Sequence, residues 1–242
     1  MMKRVLGVCF AAAFLVVGVQ SRAEAVPVLN LHICQGGTCM NFGPSAGSIS
    51  SGVVTVGDYQ IRADGGSFES AAFSQGGNTN INVTRIGSSS ALALDVWLNG
   101  TGYVLPVGTQ LTMDTALGAT RGGLPGGATG SVSYQAWISN TNGFGFPPAG
   151  SAASPVSMCT PSNASASTSC AADAPASTIV PYGPFSLTSR TTFGILIGDV
   201  SLYGSTGTTT VTAQIVPEPA SLFLLGFGLL AGAGSLRRRL RK

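Results

Sequence analysis

Leu92-Ala-Leu-Asp-Val-Trp-Leu98 alternates strictly, so an extended chain puts Leu92, Leu94, Val96 and Leu98 on one face and Asp95 and Trp97 on the other. Ser131-Val-Ser-Tyr-Gln-Ala-Trp-Ile-Ser139 repeats the pattern, with Val132, Tyr134, Ala136 and Ile138 opposite Ser133, Gln135 and Trp137. Each reads as a strand with one buried face.

Working outward, the same reading gives strands at Val28 to Ile33, Ile49 to Val56, Tyr59 to Ala63, Asn80 to Ile86, Ala91 to Leu98, Gln110 to Thr115, Ser131 to Ser139, Thr192 to Leu202 and Thr208 to Val216. Glycine and polar turns separate them, and no segment between the two chain ends carries an apolar stripe at helical spacing. The expected fold is all-β: an antiparallel β-sandwich of jelly-roll or immunoglobulin-like arrangement over 26–215. The interval 143–184 breaks the rhythm, with seven prolines and Asp173 as its one charge. It is expected to be a long loop across the sandwich, tied down by a Cys159–Cys170 bridge; a disordered linker between two domains is the alternative, but the strands after it are too few to fold alone.

The two ends are of another character. Residues 1–25 have the form of a secretory signal peptide: Lys3 and Arg4, an apolar run from Val5 to Val19, then Ala23-Glu24-Ala25 as a small-x-small cleavage pattern. At 216–242, Val216-Pro217-Glu218-Pro219 is followed by an uncharged run, 220–236, and then by Arg237, Arg238, Arg239, Arg241 and Lys242. As a helix the run would be about 25 Å long, at the lower limit for a membrane span. The basic tail would stay on the cytoplasmic side, leaving everything before Pro217 outside.

Between the ends the composition excludes some partners. The whole chain carries +3, but Val26 to Val216 holds four arginines, seven acidic residues and no lysine, a net charge of −3. No basic patch is present to neutralise phosphates, so a nucleic-acid partner is not expected. Four cysteines remain after export, as Cys34-Gln-Gly-Gly-Thr-Cys39 and as Cys159 and Cys170 bracketing ten small or polar residues. In an oxidising compartment they read as disulfides; three connectivities are open, and the local pairs Cys34 with Cys39 and Cys159 with Cys170 are favoured. A metal site is the rival, but neither spacing matches a zinc pair and His32 is the sole histidine.

Little catalytic material is visible. His32 lies in a strand two residues before Cys34, no Gly-x-Ser-x-Gly elbow is present, and the absence of lysine from the domain removes Schiff-base chemistry. Paired carboxylates would serve a glycosidase, and Asp58, Asp64, Glu69, Asp95, Asp114 and Asp199 are the stock from which a pair would come. The glycine pairs at 122–123 and 126–127 lack a following Lys-Ser/Thr and read as turns. A binding role has slightly better material: Asp95, Trp97 and Trp137, all expected to point outward, are the candidate carbohydrate contacts, a sugar ring stacking by its apolar face. The competing reading has the tryptophans covering core at the sandwich edge.

The tail, taken as Val216-Pro-Glu-Pro-Ala-Ser-Leu222, Gly-rich apolar run and Arg-rich end, resembles the PEP-CTERM sorting signal of Gram-negative bacteria. The resemblance implies export through the inner membrane, recognition at Pro217 to Pro219 by an exosortase (a membrane-embedded cysteine-dependent transpeptidase), cleavage there, and delivery to the cell surface or matrix. Leu92 to Pro106, the Gly-rich run into Ser-Tyr-Gln-Ala-Trp137, and Tyr182-Gly-Pro-Phe-Ser-Leu-Thr188 look like the body of PEP-CTERM proteins, with Tyr103-Val104 where an aromatic-Thr pair is usual and Pro-Phe-Ser-Leu in place of Pro-Tyr-Ser-Leu. What this implies is a non-enzymatic surface or matrix protein, without cofactor, retained with exopolysaccharide in biofilm. The alternative is a secreted lectin-like or carbohydrate-active protein. Two carboxylates facing each other in a groove would favour an enzyme, an exposed Trp97 or Trp137 a lectin, and a flat Ser/Thr surface the structural role.

Overall fold

The computed structural model describes residues 26–70, 72–87, 93–104, 106, 110–122, 130–148, 150–160, 168–179, 183–195 and 202–213. The expected signal peptide, the sorting signal with its helix at 220–236, and Leu92 lie outside them. The strands are β1 (Val28–Gln35), β2 (Thr38–Ala46), β3 (Ser48–Val56), β4 (Tyr59–Glu69), β5 (Phe73–Arg85), β6 (Leu94–Tyr103), β7 (Leu111–Gly122), β8 (Ser131–Ser139), β9 (Ala152–Ala153), β10 (Ser157–Cys159), β11 (Thr168–Ile179), β12 (Phe185–Gly194) and β13 (Leu202–Ala213).

They form two antiparallel sheets. Sheet A has the order β10-β8-β12-β6-β1-β2, with β9 also on β8; sheet B has the order β11-β7-β13-β5-β4-β3. Within them, β6-β12-β8-β10 faces β5-β13-β7-β11, and the chain passes from sheet to sheet at β5 to β6, β6 to β7, β7 to β8, β10 to β11, β11 to β12 and β12 to β13. That is the wrapped order of an eight-stranded jelly roll, one of the two arrangements expected. The first four strands extend it, β1 and β2 beyond β6, and β4 and β3 beyond β5.

Alternation decides what fills the core. Leu29, Leu31 and Ile33 from β1, Leu94, Val96 and Leu98 from β6, and Val132, Tyr134, Ala136 and Ile138 from β8 are all buried in one cluster. Sheet B answers with Tyr59, Ile61 and Ala63, Ile81 and Val83, Leu111 and Met113, and Tyr203 and Val211. The ring of Tyr134 fills the space over Gly207, where a Cβ would stand 2.3 Å from its ring carbons. Its hydroxyl shares a 2.8 Å hydrogen bond with Thr209 Oγ1, so the buried polar tip is satisfied.

Three expectations are corrected. The interval 143–184 is not a loop throughout: it contains β9, β10 and β11, and β11 pairs along β7 for most of its length. A run of Ala, Ser and Thr carries no hydrophobic alternation, yet an edge strand needs only its backbone ladder, and the register shift between Ala174 and Ser177 accommodates Pro175. The strand expected from Thr192 to Leu202 ends instead at Gly194, and the next strand, β13 of the other sheet, begins at Leu202. Finally β2, unforeseen with Gly43-Pro44 in it, is the edge of sheet A, where a proline is tolerated.

Candidate functional site

The outer face of sheet A carries the residues singled out in the sequence. Cross-strand register places Asn41, His32, Trp97, Arg190 and Gln135 in one row across β2, β1, β6, β12 and β8. The next row runs Cys39, Cys34, Asp95, Thr192, Ser133. Asp95 and Trp97 do share a face, as alternation requires, and Trp137 joins them from β8.

This face is not open. Trp97 and Trp137 are each only 8% exposed. Their rings stack with centroids 5.4 Å apart, and the Arg190 guanidinium lies 5.1 Å from the first ring and 5.5 Å from the second. The segment between β8 and β9 folds back over them. Phe146 meets Trp97 edge-on at 6.0 Å and stacks on His32 at 4.5 Å. Asn99 Nδ2 donates to Gly145 O at 3.4 Å, and Gly102 N donates to Asn142 Oδ1 at 2.6 Å, tying the segment down. Beyond it, Ser154 N donates to Ala136 O at 2.8 Å and Ser154 Oγ accepts from Ala136 N at 3.0 Å, continuing the ladder between β9 and β10. The outward-pointing tryptophans expected as a sugar platform are therefore the floor of a small second core.

Asp95 is half-buried and accepts a 2.5 Å hydrogen bond from Thr192 Oγ1. Other carboxylates also have local partners: Asp58 with Gln35 Nε2 at 3.2 Å, Asp64 with Ser50 Oγ at 2.5 Å and Arg62 Nε at 3.1 Å, and Glu69 with Val104 N at 2.5 Å. Two further arginines are buried toward one end of sheet B, Arg85 over Tyr59 and Arg121 over Tyr203, each 5.9 Å from the ring centroid. Burial raises the Tyr59 phenol above its ordinary value, with Arg85 acting against it.

Both expected disulfides are present. Cys34 and Cys39 face each other across the β1–β2 hairpin with Cα atoms 4.2 Å apart, around the Gly36-Gly37 turn in which Gly36 takes φ 56°. Cys159 and Cys170, Cα atoms 5.9 Å apart, tie β10 of sheet A to β11 of sheet B. Among the described residues, one group of three His, Cys, Asp or Glu side chains brings its ligand atoms within 4.8 Å of one another: His32, Cys34 and Cys39. The sequence offered His32 as the sole nitrogen ligand of a rival metal site and favoured an ordinary strand histidine beside a disulfide; its i, i+2 spacing from Cys34 puts the two side chains on one face.

Beyond Ala213 the chain leads directly into the tail, and residues 216–239 match the PEP-CTERM protein-sorting motif. The chain carries the sorting signal of exosortase substrates. The PEP-CTERM signal means export across the inner membrane, processing by exosortase, and a cell-surface or extracellular location afterwards. Val216, Pro217, Glu218 and Pro219 open the matched segment and Arg237, Arg238 and Arg239 close it; all seven lie outside the described residues.

No curated protein matches the chain. Among solved structures, the K1 cleaved adhesin domain of Lys-gingipain from Porphyromonas gingivalis W83 is 14% identical, the match covering 69% of this chain and 99% of that one with a TM-score of 0.30. The structure of infectious bursal disease virus, Gx strain, is 9% identical over 84% of this chain and 60% of that one, with a TM-score of 0.29.

Proposed function

We propose that this PEP-CTERM protein is a non-catalytic component of the extracellular matrix, held with exopolysaccharide through the outer face of sheet B. The observation that carries the reading is the chemistry of that face. Thr206, Thr208, Thr210 and Thr212 recur at every second residue of β13, beside Thr112 and Thr120 of β7 and Asn80 and Asn82 of β5. Hydroxyls and amides dominate, and a hydrated polymer of hydroxyl groups can exchange water-mediated hydrogen bonds with them over a wide area. A groove of about 530 Å³ crosses this face between Asn80, Asn82, Thr120 and Thr206, floored by Gly118 and Gly204. The domain's net charge of −3 favours a neutral glycan over an acidic one. The inner membrane is a transient station in this reading, left when exosortase cuts at Pro217 to Pro219.

The groove also supports a second reading, a lectin that takes one short neutral glycan there and not at the tryptophans. The experiment follows the mature protein in its own host, by intact mass and by fractionation, beside a Pro217→Ala, Glu218→Ala, Pro219→Ala triple variant. The expected result is a wild type cut near Pro217 and recovered with the polysaccharide fraction, and a variant that stays uncut in the inner membrane. A mature protein free in the medium, or one that shortens the purified polysaccharide, would overturn the matrix reading. Saturable binding of one oligosaccharide, abolished by Thr206→Arg, would select the lectin.

A further inference from the structure

Three side chains at the β1–β2 hairpin form a chemical unit with no part in the reading above. His32 Nε2 lies 2.7 Å from Cys34 Sγ, the half-buried sulfur of the Cys34–Cys39 bond. The other ring nitrogen, Nδ1, is bonded to the amide oxygen Oδ1 of Asn41, directly opposite on β2. An amide oxygen only accepts, so Nδ1 carries a hydrogen, and in the neutral imidazole Nε2 then holds its lone pair toward sulfur. Phe146 stacks on the ring at 4.5 Å and fixes its plane. Cys39, by contrast, is exposed on β2, the edge strand of sheet A.

We propose that the Cys34–Cys39 disulfide is a thiol-exchange site, attacked at Cys39 by a small-molecule thiol, with Cys34 as the leaving group and His32 as the acceptor of the incoming thiol's proton. The incoming thiolate forms a new S–S bond to Cys39 Sγ as the bond to Cys34 Sγ breaks, and the electron pair of that bond stays on Cys34. The proton given up by the incoming thiol ends on Nε2 of His32, so the products are a mixed disulfide at Cys39 and a Cys34 thiolate paired with imidazolium. No other oxidant or reductant is needed. Direction follows from the geometry: the outer sulfur is reachable, and a thiolate leaves best from the sulfur that has a cation beside it. Release also leaves the hairpin intact, because the β1–β2 ladder runs from Val28 with Ala46 to Gln35 with Thr38 without needing the bridge. The second disulfide differs: Cys159 is 3% exposed, the chain's one histidine lies beside Cys34 and not there, and the bond joins two sheets.

The test incubates the exported protein with glutathione, quenches with an alkylating agent, and reads both cysteine pairs by peptide mass spectrometry. The expected result is glutathione on Cys39 and alkylation on Cys34, with the Cys159–Cys170 bond still closed. His32→Phe keeps a ring for Phe146 to stack on and removes Nε2; it should slow the exchange about tenfold. An Asn41→Leu variant, which frees Nδ1 from its hydrogen bond, should slow it less. Glutathione found on Cys34, a His32→Phe rate equal to wild type, or opening of both disulfides at the same rate would each overturn the assignment. None of these readouts depends on polysaccharide, so the matrix reading stands or falls separately.

Discussion

Trp97 and Trp137 stack on the outside of sheet A, not in the space between the sheets, and Arg190 lies within 5.5 Å of both rings. Their burial comes from the segment after β8, which brings Phe146 over the pair. Removing the ring should therefore behave as a core truncation: Trp97→Ala is expected to cost about 3–5 kcal/mol. Arg190→Ala should cost about 1–2 kcal/mol through the lost cation–π contacts. Denaturant midpoints read both. Added oligosaccharides should leave the indole fluorescence of the wild type unchanged, because no ring face is free for a sugar.

Gly207 owes its identity to Tyr134. A methyl group there would stand 2.3 Å from the ring, and the Tyr134 hydroxyl is anchored at Thr209. Gly207→Ala is expected to lower stability by about 1–3 kcal/mol. In a Tyr134→Ala background the same change should be nearly neutral, a non-additivity that a double-mutant cycle measures directly.

Alkaline pH should unfold the sandwich from inside. Burial pushes the Tyr134 phenol up from 10.0 to about 12, and Tyr103 shifts in the same direction for the same reason. The unfolded chain gives up these protons first, so the stability is fully present below pH 10 and is lost as pH rises from 10 toward 12. For Tyr134 alone the loss is about 3 kcal/mol. Tyrosinate absorbance should appear together with loss of the β-sheet signal, and Tyr134→Phe should move the midpoint upward relative to neutral-pH stability.

The two disulfides should differ in what they stabilise. Replacing Cys159 and Cys170 by serine releases a connection between the sheets, and the chain-entropy cost is about 3 kcal/mol. Replacing Cys34 and Cys39 removes a shorter closure within one hairpin, with a cost of about 2 kcal/mol. Thermal unfolding of the two double variants gives the comparison.

The central strands were legible because each has one face in the core. Strand β8 runs from Ser131 to Ser139 as its alternation required, and Leu94, Val96 and Leu98 point inward as expected. The edges were not legible for the converse reason. Strand β2 is largely exposed, and β11 is written in Ala, Ser and Thr, so neither shows a periodic signal. The same limit hid the state of the tryptophans. Alternation reports which side of a sheet a residue faces, but only the segment carrying Phe146 determines whether that side meets water. The grouping of Asp95 and Trp97 on one face was readable; the Thr192 bond that occupies Asp95 was not, because Thr192 lies 97 residues further along the chain.

Strand β13 ends at Ala213, and the motif begins at Val216. That strand is interior to its sheet, laddered to β5 on one side and to β7 on the other along nearly its whole length. Drag on a protein tethered through this end would thus pull lengthwise on a strand gripped from both sides, so that its hydrogen bonds must slide and fail together instead of peeling open one at a time. The order in which the strands are wrapped thus brings the chain out toward the sorting motif from the middle of sheet B.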